Sequence, residues 1–306
     1  MSERQETLSD KDFHAITEAR VREPDSLRAA LAGRRRRPLV GADGRMFLLA
    51  ADHTSRGKLA IGSDPMAAAD RRSLLDRILT GLVDPRVDGV LASADVLEEL
   101  ALLGALEGRL AIGTMNRGGI AGAHWELDDR LTAYDAEHIV SMGLDGGKML
   151  LRIEPTDPGV ARTLETVARL TTALADASTM ALLEPLPYRR RPDGGVELDP
   201  SEDALVRMAA IASGLGSSSA RTWLKLPATA DPARVAAAST CPVLLLGGDA
   251  GPDHEKVFAG WERALQVPSI RGLVPGRALL YPEVLTVRDA VARAAALVHP
   301  TATPLP

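Results

Sequence analysis

Eight short runs rich in Val, Ile and Leu recur along this chain, and segments of helical pattern separate them. The runs are Met46–Asp52, Gly89–Ala92, Leu110–Thr114, Lys148–Ile153, Met180–Pro185, Thr222–Leu226, Pro242–Leu246 and Ile270–Val274. The helical patterns between and after them cover Pro65–Leu82, Ala94–Leu106, Asp128–Met142, Val160–Asp176, Ser201–Leu215, Pro232–Ser239, His254–Leu265 and Glu283–Leu297. Asp64-Pro65, Asp157-Pro158, Asp199-Pro200 and Asp231-Pro232 read as helix starts, because an Asp caps well and proline fits the first turn. Near-continuous apolar strands are buried on both faces, and strands that alternate with helices form a parallel sheet. Eight such units after Pro38 predict a single closed (β/α)₈ barrel, the TIM-barrel form of the α/β class. An open doubly wound sheet is the rival, but it calls for a G-x-G-x-x-G turn after the first strand. Ala51-Asp52-His53-Thr54-Ser55-Arg56-Gly57 is not one.

The segment before the barrel reads as a helical extension, residues 1–37, leaving 38–306 as the barrel domain. Leu8–Gly33 carries one or two helical stretches, and Arg34–Arg37 is a charge run expected to be a solvated connector. The chain has a formal net charge of −5, which argues against a general nucleic-acid binder. No apolar run reaches membrane-spanning length, and Met1–Asp10 is polar, so a cytoplasmic protein without membrane partners is expected. Cys241 is the single cysteine and reads as a packing residue at the bottom face, which excludes an intrachain disulfide.

Lysine usage singles out two positions. Of 36 basic residues only Lys11, Lys58, Lys148, Lys225 and Lys256 are lysine, so lysine is not the default surface cation here. Lys225 stands between Trp223-Leu224 and Leu226-Pro227 in the sixth strand. Burial disfavours an ammonium, which leaves the free amine that carbonyl attack and Schiff-base formation need. A structural ion pair with a buried carboxylate would also account for it. Lys148 in the fourth strand shares the inward face with Leu150 and Arg152, where it would either tune Lys225 or pair with a carboxylate.

Chemistry in barrels of this type sits at the C-terminal strand ends. There Glu184 ends the fifth apolar strand and Asp52 the first, each a candidate proton carrier or ion-pair partner. Gly247-Gly248 follow the seventh strand and Gly276-Arg277 the eighth. Glycine-rich loops at those two places suit a phosphate, because backbone N–H groups can approach it and Arg277 adds a clamp. Tight turns alone would also use glycine. The six histidines show no H-x-H or H-E-x-x-H spacing, so no metal and no other cofactor is expected, and His53 reads as a hydrogen-bonding partner of a neighbour or substrate.

Five strand ends in order carry a resemblance: Ala51-Asp52-His53, Gly147-Lys148-Met149-Leu150, Leu183-Glu184-Pro185, Leu224-Lys225-Leu226-Pro227 and Gly276-Arg277-Ala278. Together they resemble the class I aldolases of the bacterial and archaeal fructose-bisphosphate, tagatose-bisphosphate and sulfofructose-phosphate type. The resemblance implies Lys225 as Schiff-base lysine, Glu184 as proton carrier, Lys148 as its assistant and Asp52 as a further catalytic group. More narrowly, the chain resembles an actinobacterial barrel family associated with myo-inositol catabolism. That resemblance implies 5-dehydro-2-deoxygluconate 6-phosphate as substrate, cleaved to dihydroxyacetone phosphate and malonate semialdehyde. It also implies a homo-oligomer. The loops after the first and third strands depart from those of the sugar-bisphosphate enzymes. Arg56, Arg117, Arg152 and Arg189, with His53, are candidate contacts there for a carboxylate or a phosphate. Two readings without an imine stand beside the aldolase: an isomerase with Glu184 as base, and a non-catalytic barrel that binds a sugar phosphate.

Overall fold

The computed structural model describes residues 7–116, 119–120, 122–123, 125–247 and 253–300. Eight parallel strands close into a barrel: β1 (Met46–Ala50), β2 (Gly89–Ala92), β3 (Leu110–Thr114), β4 (Gly146–Ile153), β5 (Met180–Arg190), β7 (Thr222–Leu226), β8 (Val243–Leu246) and β9 (Ile270–Val274). Pairing of β4 with β5 from Gly146↔Met180 to Ile153↔Pro187 completes the ring. A short strand, β6 (Val196–Leu198), folds back antiparallel on the outer half of β5.

Alternation along the strands divides the core in two. Inward residues Met46, Leu48, Leu91, Leu110, Ile112, Met180, Leu182, Leu244 and Val274 fill the lower barrel as one apolar plug. Outward residues such as Phe47, Leu49, Val90, Leu183 and Leu245 meet the helices in a second, larger cluster. Burying each such side chain contributes about 1.5–3 kcal/mol, so the two-sided burial supplies the main drive for closure. At Gly272 the backbone has φ +152°, and a Cβ there would stand 1.8 Å from the Met46 carbonyl oxygen. Only glycine lets β9 pass that close to β1.

The surrounding helices are α1 (Asp10–Arg22), α2 (Asp25–Gly33), α3 (Arg71–Leu82), α4 (Ala94–Leu102), α5 (Ala136–Ser141) and α6 (Val160–Asp176), then α7 (Glu202–Ser213), α8 (Pro232–Ala236), α9 (His254–Ala264), α10 (Arg277–Leu280) and α11 (Val287–Val298). Among the described residues none is long and apolar enough to cross a membrane. Several limits differ from expectation. α3 begins after Asp70, whose carboxylate accepts from Ser73 N, while Asp64 is spent in a turn with Ile61 and Met66. Ser201, not Asp199, caps α7, and Gly159 precedes α6 without a side-chain cap; Asp231 does cap α8. α5 is much shorter than Asp128–Met142, because Asp128 closes a local turn on Arg130 and Asp129 is drawn under the barrel mouth. β5 runs past Pro185 and Pro187 without breaking. Odd-numbered residues of β5 face β7, as Ala181 N donates to Arg221 O, and that ladder has ended at Leu183. Pro185 therefore costs no ladder bond to β7, and Pro187 takes part in the β6 side through its carbonyl, which accepts from Asp199 N at 2.9 Å.

The arginine run is not a solvated connector. Arg34 is buried and binds Asp145 at 2.6 Å, Arg36 reaches the same carboxylate at 3.0 Å, and Arg37 binds Asp88 at 2.5 Å. Asp145 and Asp88 immediately precede β4 and β2, and they also accept from Ala111 N and Phe47 N. The run thus ties the bottom of the barrel together, and Leu8, Ile16 and Leu31 of the preceding segment join the outer core. Charge run and apolar helix faces act as one belt.

His299, at the end of α11, completes this floor. Its Nδ1 is 2.5 Å from Asp43 and its Nε2 is 3.0 Å from Asp88, which also holds Arg37. Burial opposes the imidazolium, but the hydrogen bonds to Asp88 and Asp43 outweigh it and raise the pKa above the ordinary 6.5. The folded state therefore favours protonated His299. Its contribution to stability is full below about pH 6.5 and is lost as pH rises through the raised folded value. We expect the melting temperature to fall across that window and His299→Gln to flatten the fall, as read by thermal unfolding over a pH series.

Candidate active site

Five of the eight inward strand faces carry a polar residue one pleat above the apolar plug. Ala50 is followed on its face by Asp52, Ile112 by Thr114, Gly146 by Lys148, Leu182 by Glu184 and Trp223 by Lys225. Register pairs Thr114 with Lys148 and sets Glu184 one pleat higher, beside Leu150, so that Lys148 reaches up to it. Two lysines and two carboxylates meet there as a buried quartet. Lys148 Nζ lies 3.1 Å from Asp52 and within closer contact of Glu184, while Lys225 Nζ lies 3.1 Å from the other Glu184 oxygen. Thr114 Oγ1 donates to Asp52 at 3.3 Å. Lys148 is fully buried and the other three nearly so.

The quartet is neutral as a set, which is how four charges can be retained below the mouth. Burial pushes the Glu184 carboxyl up, but Lys148 and Lys225 together outweigh burial and bring its pKa down to about 2. Glu184 is therefore ionised at rest.

Above the quartet a cavity of about 470 Å³ opens at the C-terminal strand ends. Asp52, Glu184 and Lys225 form its floor, with Lys148 beneath. Gly247, Gly276 and Arg277 line one wall. A Cβ on Gly276 would stand 2.7 Å from the Ala50 carbonyl oxygen, so glycine is needed where β9 leaves the barrel. His53 and Arg56 line the cavity as well, and His53 stands edge-on to Tyr281. Arg117 and Gly248 lie outside the described residues. Arg152 is not a lining residue: it is 1% exposed and binds the equally buried Asp129 at 2.7 Å. Arg189 is exposed and pairs with Glu197 at 2.8 Å.

Several lining residues were not legible as such in the sequence. Lys58 and Glu126 lie in loops, and Leu198 sits on the hairpin formed by β5 and β6. Glu126 precedes Leu127-Asp128-Asp129-Arg130, a polar stretch that reads as a solvated helix start. Asn116 is the one available signal: its side chain bonds Leu150 N and O at 2.6 Å and Asp129 O at 2.7 Å. That holds the loop down on β4. A wider groove of about 820 Å³ beside Trp125 contains no lysine, so the chemistry singles out the smaller cavity.

A family model described as Cgl0159-like matches residues 44–295, most of the chain and the whole barrel. The chain belongs to the Cgl0159-like family. Its structure is similar to Cgl0159 from Corynebacterium glutamicum, with 44% identity, TM-score 0.92, and 96% of this chain and 98% of that one covered. An archaeal fructose 1,6-bisphosphate aldolase is similar at 19% identity and TM-score 0.65, covering 90% of this chain and 99% of that one. Another archaeal aldolase structure holds a carbinolamine intermediate on its catalytic lysine, and matches at 20% identity and TM-score 0.63 over 89% and 99% of the two chains. At those identities the likeness is one of fold. No curated protein matches the sequence.

Lys148 is the shared cation of the quartet, and its removal leaves Asp52 and Glu184 facing each other. We expect Lys148→Met to destabilise this Cgl0159-like barrel by about 3–5 kcal/mol at neutral pH. The loss should shrink as pH falls toward about 4–5 and one carboxylate takes up a proton. Urea unfolding at the two pH values measures both effects.

Proposed function

We propose that this chain is a class I retro-aldolase that cleaves a phosphorylated keto-sugar or keto-acid to dihydroxyacetone phosphate and an aldehyde. The observation that carries the reading is Lys225 Nζ on the cavity floor, 3.1 Å from a carboxylate that a second buried lysine also holds. The fold shared with Schiff-base fructose-bisphosphate aldolases supports it.

Lys225 passes a proton to Glu184 and attacks the ketone carbon, forming a carbinolamine. Loss of water gives a protonated imine, which draws electrons from the adjacent C–C bond. A base takes the proton of the hydroxyl beyond that bond; Glu184 does so directly or through Lys148. The bond breaks, the aldehyde leaves, and the remaining enamine is protonated and hydrolysed to release the ketone product and free Lys225. Asp52 holds Lys148 in place through this cycle, and Thr114 in turn holds Asp52. Gly247, Gly276 and Arg277 seat the ketone-side phosphate by close backbone approach and charge.

The test is borohydride reduction in the presence of dihydroxyacetone phosphate, read by intact mass and peptide mapping. An adduct on Lys225 is expected, absent in Lys225→Met. Glu184→Gln should lower kcat by about 10²–10⁴. Phosphate binding with no adduct would move the assignment to an isomerase or a binding protein.

A further inference from the structure

β5 has 11 residues where β7 beside it has 5, and the excess stands over the cavity. Its inward face continues upward by alternation: Leu182 belongs to the plug, Glu184 to the quartet, and Leu186 and Tyr188 line the cavity above them. β6 folds back on this overhang, with Tyr188 opposite Leu198 and Arg190 opposite Val196. Opposed residues of an antiparallel pair share a face, so Val196 and Leu198 extend the same wall, and both line the cavity. Leu150, which pairs with Glu184, adds the β4 side.

The charges of the hairpin are held by one another or by the end of β4. Arg189 and Glu197 alternate to the other face and bind each other at 2.8 Å, Glu197 bordering the cavity from there. Arg190 reaches Asp157 at 3.0 Å and Glu154 at 3.4 Å. Leu198 is 39% exposed, and Leu186, Tyr188 and Val196 are only partly buried. The wall therefore presents apolar surface to whatever fills the cavity, and covering it is favourable.

The retro-aldolase reading, on which this inference rests, says which part of a substrate lies there. Gly247, Gly276 and Arg277, which seat the phosphate, follow β8 and β9, and Lys225 of β7 stands between them and β5. Glu184 takes the proton of the hydroxyl beyond the cleaved bond, so the carbon that becomes the aldehyde stands over β5. The chain attached to that carbon then rises along Leu186 into the hairpin.

We propose that the hairpin of β5 and β6 is the subsite for the leaving aldehyde, and that it selects an aldehyde whose chain is alkyl or aromatic rather than hydroxylated. Leu198 and Tyr188, opposite each other at the top of the wall, are its specificity-determining side chains.

Calorimetric titration of the unmodified protein with propyl, butyl, pentyl and hexyl phosphate measures the wall without any reaction. Each methylene that reaches it should tighten binding about two- to fourfold, giving hexyl phosphate at least a tenfold advantage over propyl phosphate. Leu198→Asn should cut that advantage at least threefold. In condensation with dihydroxyacetone phosphate, 3-methylbutanal should exceed glyceraldehyde at least tenfold in kcat/KM. A flat series, an advantage unchanged in Leu198→Asn, or a preference for glyceraldehyde overturns the proposal. Borohydride trapping with dihydroxyacetone phosphate keeps the two readings apart. An adduct on Lys225 together with a flat series leaves the aldolase reading intact and removes this one. A rising, Leu198-dependent series without an adduct keeps the apolar subsite and removes the aldolase reading.

Discussion

Everything at the barrel mouth depends on Lys148 being held between two carboxylates. A fully buried ammonium is expensive, and Asp52 and Glu184 together offset that cost. The same contact fixes where β1, β4 and β5 stand relative to one another at the level where the apolar plug ends. Lys225 then needs only its β7 position and the remaining Glu184 oxygen to be placed. The quartet is thus a structural joint across four strands and, as proposed, the reaction centre. Geometry this tightly coupled leaves little freedom to the attacking amine, which is what an oriented nucleophile requires.

Legibility in the sequence followed periodicity. Strands buried on both faces leave near-continuous apolar runs, and β2, β3, β7 and β9 fall where those runs lie. Period-two alternation turns Lys148 inward, where Lys225 can also point, while Glu184 and Asp52 stand out as carboxylates that end apolar strands. Each of these residues stands in an ion pair of the quartet, the arrangement on which the proposed catalysis draws. What periodicity does not encode is which charges pair across the chain. Asp145 and Arg34 are 111 positions apart, so a run of four arginines could not be told from a solvated connector. Arg152 illustrates the same limit. Its face was readable, but its partner Asp129 lies in a stretch whose composition suggests a solvent-exposed helix.

The two ends of the barrel use charge in different ways. At the floor, Asp88 and Asp145 each bind arginine, histidine or backbone donors, and the contacts fasten strand starts to one another, to the N-terminal arginine run and to the end of α11. At the mouth the pairs surround open volume. Arg56 and Glu126 meet at 3.4 Å, longer than the contacts that bind Arg34 and Arg37 below. Both partners of that pair line the cavity, so what enters it meets the two side by side.

Glu184 shows why a neutral quartet suits the proposed imine chemistry better than an isolated lysine would. A carboxyl held at a pKa of about 2 is a weak base, and an ammonium beside it is a poor nucleophile. Both faults have one remedy, the movement of a single proton between them. The proton neutralises Lys225 for attack and leaves Glu184 protonated, ready to return it to the departing hydroxyl of the carbinolamine. When the imine forms it is again cationic, and Glu184 again faces two positive charges. The charge balance of the floor is therefore the same before attack and after dehydration, so the fixed dipoles and ion pairs around it need not reorganise between the two states.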